Sequence, residues 1–405
     1  MRPGATSVGV RAPLAVLVLA CLASPVIAQD SLSLLALPAG PHDVGFRSVG
    51  ILDSTRPYAT TRDPDGRQGR PIQMLLFYPA RKTDVAPASL GDYVVADWIG
   101  SAERSRWDSA RAEAEAAAAR AIGEGLETPL TDTQLRAVLD WPGLGRPEAT
   151  AVDARFRLVL FESGLRARGW LYTPLCELLA SHGFVVASLA SLGRSESAPL
   201  EFDLGGIEAQ AADIERALAH LATQPLVEPK PPALVAWSVG GVSQSVVRLR
   251  RPEFAAAVSL DSGTGYDYSI KLLRESGALD PRRLTIPFLQ MDVGMDGRFK
   301  VPRDSTFFDA HAFAPALALK LPRLRHSDLS TSFGPPRLRA LRDPRSEAVF
   351  AGYRAAGLYL LRFLEAFVME KAEARRFLAS DPAALGLAED VGVVARRGLK
   401  GGVRS

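Results

Sequence analysis

The chain has 405 residues, 47% hydrophobic and 23% charged, and its 48 lysines and arginines stand against 45 aspartates and glutamates for a formal net charge of +3. That composition excludes a globally disordered chain. With no long one-sign stripe interleaved with aromatics, it also excludes nucleic acid as the expected partner. The length suits one large α/β domain with insertions or two smaller domains.

The first residues read as an address. Arg2 and Arg11 precede an apolar core over residues 12–22, and Val26-Ile27-Ala28 ends on the small residue that signal peptidase requires. Residues 1–28 are therefore expected to be a signal peptide, with the mature chain starting at Gln29 and the protein exported, periplasmic or secreted. The roughly eleven apolar residues are too few to span a bilayer, so no stable membrane span is expected. Cys21 after Leu19-Ala20 offers lipoprotein anchoring as a minor alternative. Export leaves one cysteine, Cys176, which its apolar neighbours mark as a buried small hydrophobe without a disulfide partner.

Residues 44–81 alternate in the manner of strands, with strands over 45–53 and 71–78 and a turn over 63–69, which predicts an opening hairpin. Residues 86–153 change character. Residues 110–122 are almost wholly Ala, Glu and Arg, residues 132–141 carry a second amphipathic pattern, and Pro142, Gly143 and Gly145 end it. This is read as a helical insertion in one domain that runs to residue 370. It forms either a lid-like wall over a neighbouring site or a surface pair remote from substrate.

The core resumes with a strand over 156–161, the turn Glu162-Ser163-Gly164-Leu165, a helix through 175–181 and a buried strand over 183–189. An amphipathic helix over 204–223 sets Ile207, Ala211, Ile214, Ala217 and Leu221 on one side. Strands over 233–237, 255–260, 286–291 and 317–321 follow, the first two separated by a helix. The alternation predicts an α/β fold with a mostly parallel, doubly wound sheet. A long apolar helix over 347–370 is expected to pack on that sheet, and residues 371–405 to form a tail fraying after Val394.

The chemistry concentrates at Leu234-Val235-Ala236-Trp237-Ser238-Val239-Gly240-Gly241. An apolar strand stops at a serine whose neighbours two before and two after, Ala236 and Gly240, are small, which is the pattern of a nucleophile elbow with alanine in place of the first glycine. The plainer reading is a strand end whose serine caps the next helix. A serine hydroxyl needs a base, and the base needs an orienting group. In α/β-hydrolases the chain order is nucleophile, acid, histidine. His42, His182 and His220 precede Ser238, which leaves His311 and His326, and His326 is favoured because it lies in a loop just past the last core strand. For the acid, Asp261, Asp292 and Asp296 all follow strands on the same sheet edge, and residue chemistry leaves them open. Trp237 beside the serine either walls a pocket or packs under the sheet edge.

These motifs carry a resemblance. Gly45-Phe46-Arg47 in the opening hairpin, Phe161-Glu162-Ser163-Gly164-Leu165, the elbow at Ser238, Leu260-Asp261 and His326-Ser327-Asp328-Leu329 are similar to those of serine esterases of the α/β-hydrolase superfamily grouped with platelet-activating factor acetylhydrolase and dienelactone hydrolase. The resemblance covers residues 44–334 and implies an α/β-hydrolase fold. It selects Asp261 as the acid, with Asp296 as runner-up, and implies that the backbone amides of Leu165 and Val239 form an oxyanion hole. Glu162-Ser163 stands where that family has Ser-His, and a carboxylate aimed at the oxyanion would oppose it. The expected activity is hydrolysis of a short-acyl phospholipid or small ester, with polyester or lactone as the alternative substrate class. The alternative of another class is a catalytically silent protein that binds a ligand or partner. No metal is expected, for want of His/Cys/Asp clusters at ligand spacing, and without a Gly-rich phosphate loop no cofactor is expected either.

Overall fold

The computed structural model describes residues 1, 30–99, 106–294 and 303–399. The expected leader with its Cys21, Met1 aside, and Asp296 lie outside the described residues.

In chain order, the short helix α1 (Ser31–Leu34) leads into β1 (Asp43–Asp53) and β2 (Arg70–Ala80). These pair antiparallel from Asp43 opposite Ala80 to Asp53 opposite Arg70, as the opening hairpin predicts. Next come α2 (Leu90–Ile99), α3 (Trp107–Gly123), α4 (Asp132–Leu139) and the three-residue β3 (Gly145–Pro147). Then β4 (Arg157–Glu162), α5 (Thr173–Ser181), β5 (Phe184–Leu189), α6 (Leu204–Leu221), β6 (Ala233–Trp237), α7 (Gly240–Arg250) and β7 (Ala256–Leu260) alternate strictly. The chain closes with α8 (Asp267–Glu275), β8 (Phe288–Val293), α9 (Thr306–Asp309), β9 (Ala316–Leu321), α10 (Pro335–Ala340), α11 (Ser346–Phe367), α12 (Ala372–Ala379) and β10 (Gly392–Arg397).

The ten strands lie in one sheet in the order β10-β9-β8-β7-β6-β4-β5-β2-β1-β3. From β5 through β4, β6, β7 and β8 to β9 every neighbouring pair is parallel. Both faces are covered because the parallel strands are apolar on both sides. In β4, Val159 and Phe161 join the core under α5 and α11, while Leu158 and Leu160 join the core under α6 and α7. After β4 the chain steps outward to β5, then crosses back to place β6 on the other side of β4. This reversal opens a crevice past the carboxyl ends of β4 and β6, the usual ligand position in such sheets.

Four elements depart from the expectation. The insertion holds an additional helix, α2, and returns to the sheet through β3, which becomes the end strand, parallel to β1. Among the described residues, the chain after residue 371 forms two elements: α12 packs on α11, with Tyr359 and Phe377 rings 5.1 Å apart, and β10 pairs antiparallel with β9. That edge strand continues past Val394 to Arg397, with a register shift between Val393 and Ala395.

Candidate active site

Ser238 sits between the end of β6 and the start of α7 with φ +57°. Two amides hold this strained turn, since Gly241 N and Gly263 N both donate to the Ser238 carbonyl, at 3.2 and 2.8 Å. Gly240 has no room for a side chain: a Cβ there would stand 2.5 Å from the Ser163 carbonyl oxygen. Gly164 is needed for the same reason, because its Cβ would meet the Trp237 ring at 2.5 Å and Ser238 Cβ at 2.9 Å. The turn after β4 and the elbow after β6 thus press directly on each other. Ala236 is fully buried in β6, opposite Glu162 on β4 and Ser259 on β7.

His326 follows β9 and brings Nε2 to 2.9 Å from Ser238 Oγ and Nδ1 to 2.6 Å from Asp261 Oδ2. Trp237 stacks on the imidazole at 4.6 Å between ring centroids, and its Nε1 donates to the His326 carbonyl at 3.1 Å. The tryptophan is therefore the support of the histidine, a role that sequence reading divided between pocket wall and packing.

Asp261, at the end of β7, is fully buried with φ +43°. Its Oδ1 accepts from Val293 N at 3.1 Å and from Arg303 Nη2 at 3.0 Å. Burial alone would raise its pKa, but the His326 hydrogen bond and charge, then the Arg303 charge and the Val293 amide, hold it below the ordinary carboxylate value. Asp292, left open with it by sequence, does not reach His326. It accepts from Gln290 Nε2 at 2.9 Å and lies 3.1 Å from Arg303 Nη1. Arg303 was missed altogether, because nothing in its local sequence distinguishes it from other surface arginines.

His311, the second histidine allowed by chain order, is buried away from this group. Its ring stacks on Phe288 at 4.3 Å and its Nδ1 contacts the Phe307 carbonyl oxygen at 2.8 Å. Burial, with the Arg248 charge, pushes its pKa down to about 2, so it stays neutral.

Among the described residues, neither the Leu165 amide nor the Val239 amide has a hydrogen-bond acceptor. Both flank Ser238, one from the turn that Gly164 presses against it and one from the next residue. Glu162 lies just below that turn. Gln210 Nε2 donates to its Oε1 at 2.5 Å and to the Ser163 carbonyl at 2.9 Å, while Ser243 Oγ donates to Gln210 Oε1 at 2.7 Å. Burial, reinforced by the Asp213 charge, raises the Glu162 pKa well above the ordinary value, which disfavours a negative charge beside the two amides.

The insertion reaches this region through the end of α2. Arg168, three residues past Leu165, donates from Nε to the buried Asp97 carboxylate at 2.9 Å and lies 5.9 Å over the Trp98 ring. The groove between α4 and α10, lined by Thr133, Trp141 and Arg339, contains none of Ser238, Asp261 and His326. Among the described residues no cluster of three or more His, Cys, Asp or Glu side chains is placed to hold a metal ion, and no helix is long and apolar enough to cross a membrane.

No family model matches the chain, and no curated protein matches it in sequence. In structure it is similar to a ferulic acid esterase from Streptomyces cinnamoneus, with a TM-score of 0.57 and 16% identity, over 89% of this chain and 99% of that one. A likeness at that identity is one of fold, and the narrower resemblance to platelet-activating factor acetylhydrolase rests on the motifs alone. With its mostly parallel sheet, flanking helices and this likeness, the chain has the α/β-hydrolase fold.

Proposed function

We propose that this protein is an exported serine hydrolase that cleaves carboxylic esters through an acyl-enzyme. The observation that carries the reading is the unbroken chain of contacts from Ser238 Oγ through His326 to Asp261, at 2.9 and 2.6 Å, starting from a serine in a strained elbow. Ser238 Oγ attacks the ester carbonyl while His326 Nε2 takes its proton. Asp261 holds the ring by Nδ1 and offsets the imidazolium charge. The negative charge on the former carbonyl oxygen is met by the amides of Leu165 and Val239, each such donor contributing roughly 3 to 4 kcal/mol. His326 then gives the proton to the leaving alcohol, and water, activated by the same imidazole, releases the acid.

The substrate is a small ester or short-acyl phospholipid, with polyester or lactone as the wider alternatives. The likeness to a protein described as a ferulic acid esterase supports ester hydrolysis as the class. A fluorophosphonate probe tests the reading: the wild type is labelled, and Ser238→Ala is not. A folded wild type that never reacts would make the protein a silent binder of a ligand or partner. A panel of esters differing in acyl length and leaving group then ranks the substrates. Export is tested by N-terminal sequencing. Mature protein from outside the cytoplasm begins at Gln29, whereas an intact leader on cytoplasmic protein overturns that part.

A further inference from the structure

We infer that Arg303 is a positioning residue that sets the working pH range of the site by sharing the Asp261 carboxylate with His326. The inference rests on the proposed catalytic group of Ser238, His326 and Asp261.

The two oxygens of Asp261 have separate partners. Oδ2 faces His326 Nδ1 at 2.6 Å, and Oδ1 faces Arg303 Nη2 at 3.0 Å and the Val293 amide at 3.1 Å. The carboxylate is therefore gripped from both edges. Arg303 is itself fixed from several sides. Its guanidinium carbon lies 4.3 Å over the Tyr266 ring, Nη2 also donates to the Val293 carbonyl at 3.3 Å, and Nη1 lies 3.1 Å from Asp292 Oδ1. Its backbone is tied down beside it, with Asp304 N donating to the Gly265 carbonyl at 2.9 Å. Gly265 leaves the space this requires, since a Cβ there would stand 3.2 Å from Asp292 Oδ1 and 3.5 Å from Arg303 Nη1.

A carboxylate that faces only an imidazole favours the imidazolium with its full charge. A guanidinium on its far edge cancels part of that charge, so the imidazole stays unprotonated, and able to act as a base, at lower pH. Asp292 works against this whenever it is ionised, because it cancels part of Arg303 in turn. Burial, offset by Arg303 and Gln290 and reinforced by Asp261, pushes Asp292 up to about 6, so it is ionised only above that pH. The other groups facing this cluster are Tyr266 and Tyr268 after β7 and Lys320 on β9. The tyrosines are held neutral by burial, and Lys320 adds a distant positive charge to Asp292. Where both groups are charged, removing them moves the acid limb in opposite directions.

The experiment measures the rate of fluorophosphonate labelling of Ser238 against pH for the wild type, Arg303→Gln, Arg303→Lys and Asp292→Asn, alongside an NMR titration of the His326 ring. For Arg303→Gln the acid limb and the ring titration move up by about one pH unit, the size expected for one charge on the far edge of the shared carboxylate at an intermediate dielectric. Arg303→Lys keeps the charge and returns the limb most of the way. Asp292→Asn moves it down by about half a unit. A clamp that only supports structure would lower the rate at every pH and leave the limb in place, and that result for Arg303→Gln overturns the inference. A raised limb in Asp292→Asn overturns it as well, including where the arginine variant fails to fold. A wild type that is never labelled defeats the proposed hydrolase instead, and the ring titration alone then decides the role of Arg303.

Discussion

Ser238 and Asp261 both hold positive φ, at +57° and +43°, in a region where a side chain is strained. Strand ends impose that geometry. The Asp261 amide donates to the Met291 carbonyl at 2.6 Å, so β8 fixes the turn that aims the carboxylate at His326. Replacing Asp261 with Asn leaves the shape and removes the charge that orients the ring. Ester turnover should fall by about 10³- to 10⁴-fold in a steady-state assay, while the unfolding midpoint moves little by comparison. The acid was not legible from residue chemistry because Asp261 and Asp292 both follow strands on one edge. What separates them is the positive φ of Asp261 and its contact with His326, 65 residues away, and neither leaves a local mark. Glu162 gives a second expectation. Its pKa is raised in the folded state, so folding takes up a proton and stability falls as pH rises from the ordinary carboxylate value toward the raised one. Glu162→Gln keeps the acceptor for Gln210 and removes that dependence. Its stability relative to wild type, read from urea midpoints, should be near zero at pH 4 and grow in favour of the variant by pH 8. A constant difference would mean that Glu162 is already ionised in the fold.

The α7 helix shows how an element can serve the site and carry a cost behind it. Its first residues, Gly240 and Gly241, fit under the turn after β4 and against Ser262. Near its other end, Arg248 is buried at 3% exposure with no acceptor for any of its three nitrogens among the described residues. Its guanidinium lies 4.6 Å over the Phe288 ring and 4.8 Å over the Phe307 ring, and burial lowers its pKa to about 9. Ring faces offset only part of the lost hydration of a cation. Arg248→Met keeps the length and the packing, so it should stabilise the protein by about 1 to 3 kcal/mol in urea unfolding. A loss of stability would show that the cation has an unseen partner. At this scale most of the fold was legible, because buried parallel strands are continuous apolar runs and the helices between them keep a clear period. The misses are the elements that lack those signals. Three residues of β3 are too few for any pattern, and α2 is apolar enough to resemble core. β10 alternates half-exposed with exposed positions and ends in two arginines, which is how an edge strand avoids pairing with other chains but also why it reads as a tail.

Across the whole molecule, one buried carboxylate gathers several of the links between the insertion and the core. Glu177 on α5 is fully buried and receives Tyr93 OH from α2 at 2.5 Å, the amides of Leu144 and Gly145 at 2.6 and 3.1 Å, and the Ser31 hydroxyl from α1. Both ends of the insertion meet there, since the Ala88 carbonyl accepts from Gly143 N at 2.7 Å and Ala88 N donates to the Gly145 carbonyl at 2.8 Å. Burial outweighs these donors and raises the Glu177 pKa, so each donor lost would leave a costlier buried group. Glu177→Ala leaves the Leu144 amide and the Tyr93 hydroxyl facing an apolar space, which should cost about 3 kcal/mol. Glu177→Gln keeps the acceptor oxygen and turns an amide nitrogen toward Ser31, so its loss should stay under about 1 kcal/mol. Because the insertion is tied at its ends, the alanine variant should loosen α2 to α4 before the sheet unfolds. Limited proteolysis then cuts the exposed turn at residues 124–131 in Glu177→Ala, at protease levels that leave the wild type and Glu177→Gln intact. Since α2 also holds Arg168 through Asp97, the same variant should label more slowly at Ser238 than the glutamine variant does. Equal cutting and equal labelling in the two variants would show that the insertion holds its place without Glu177.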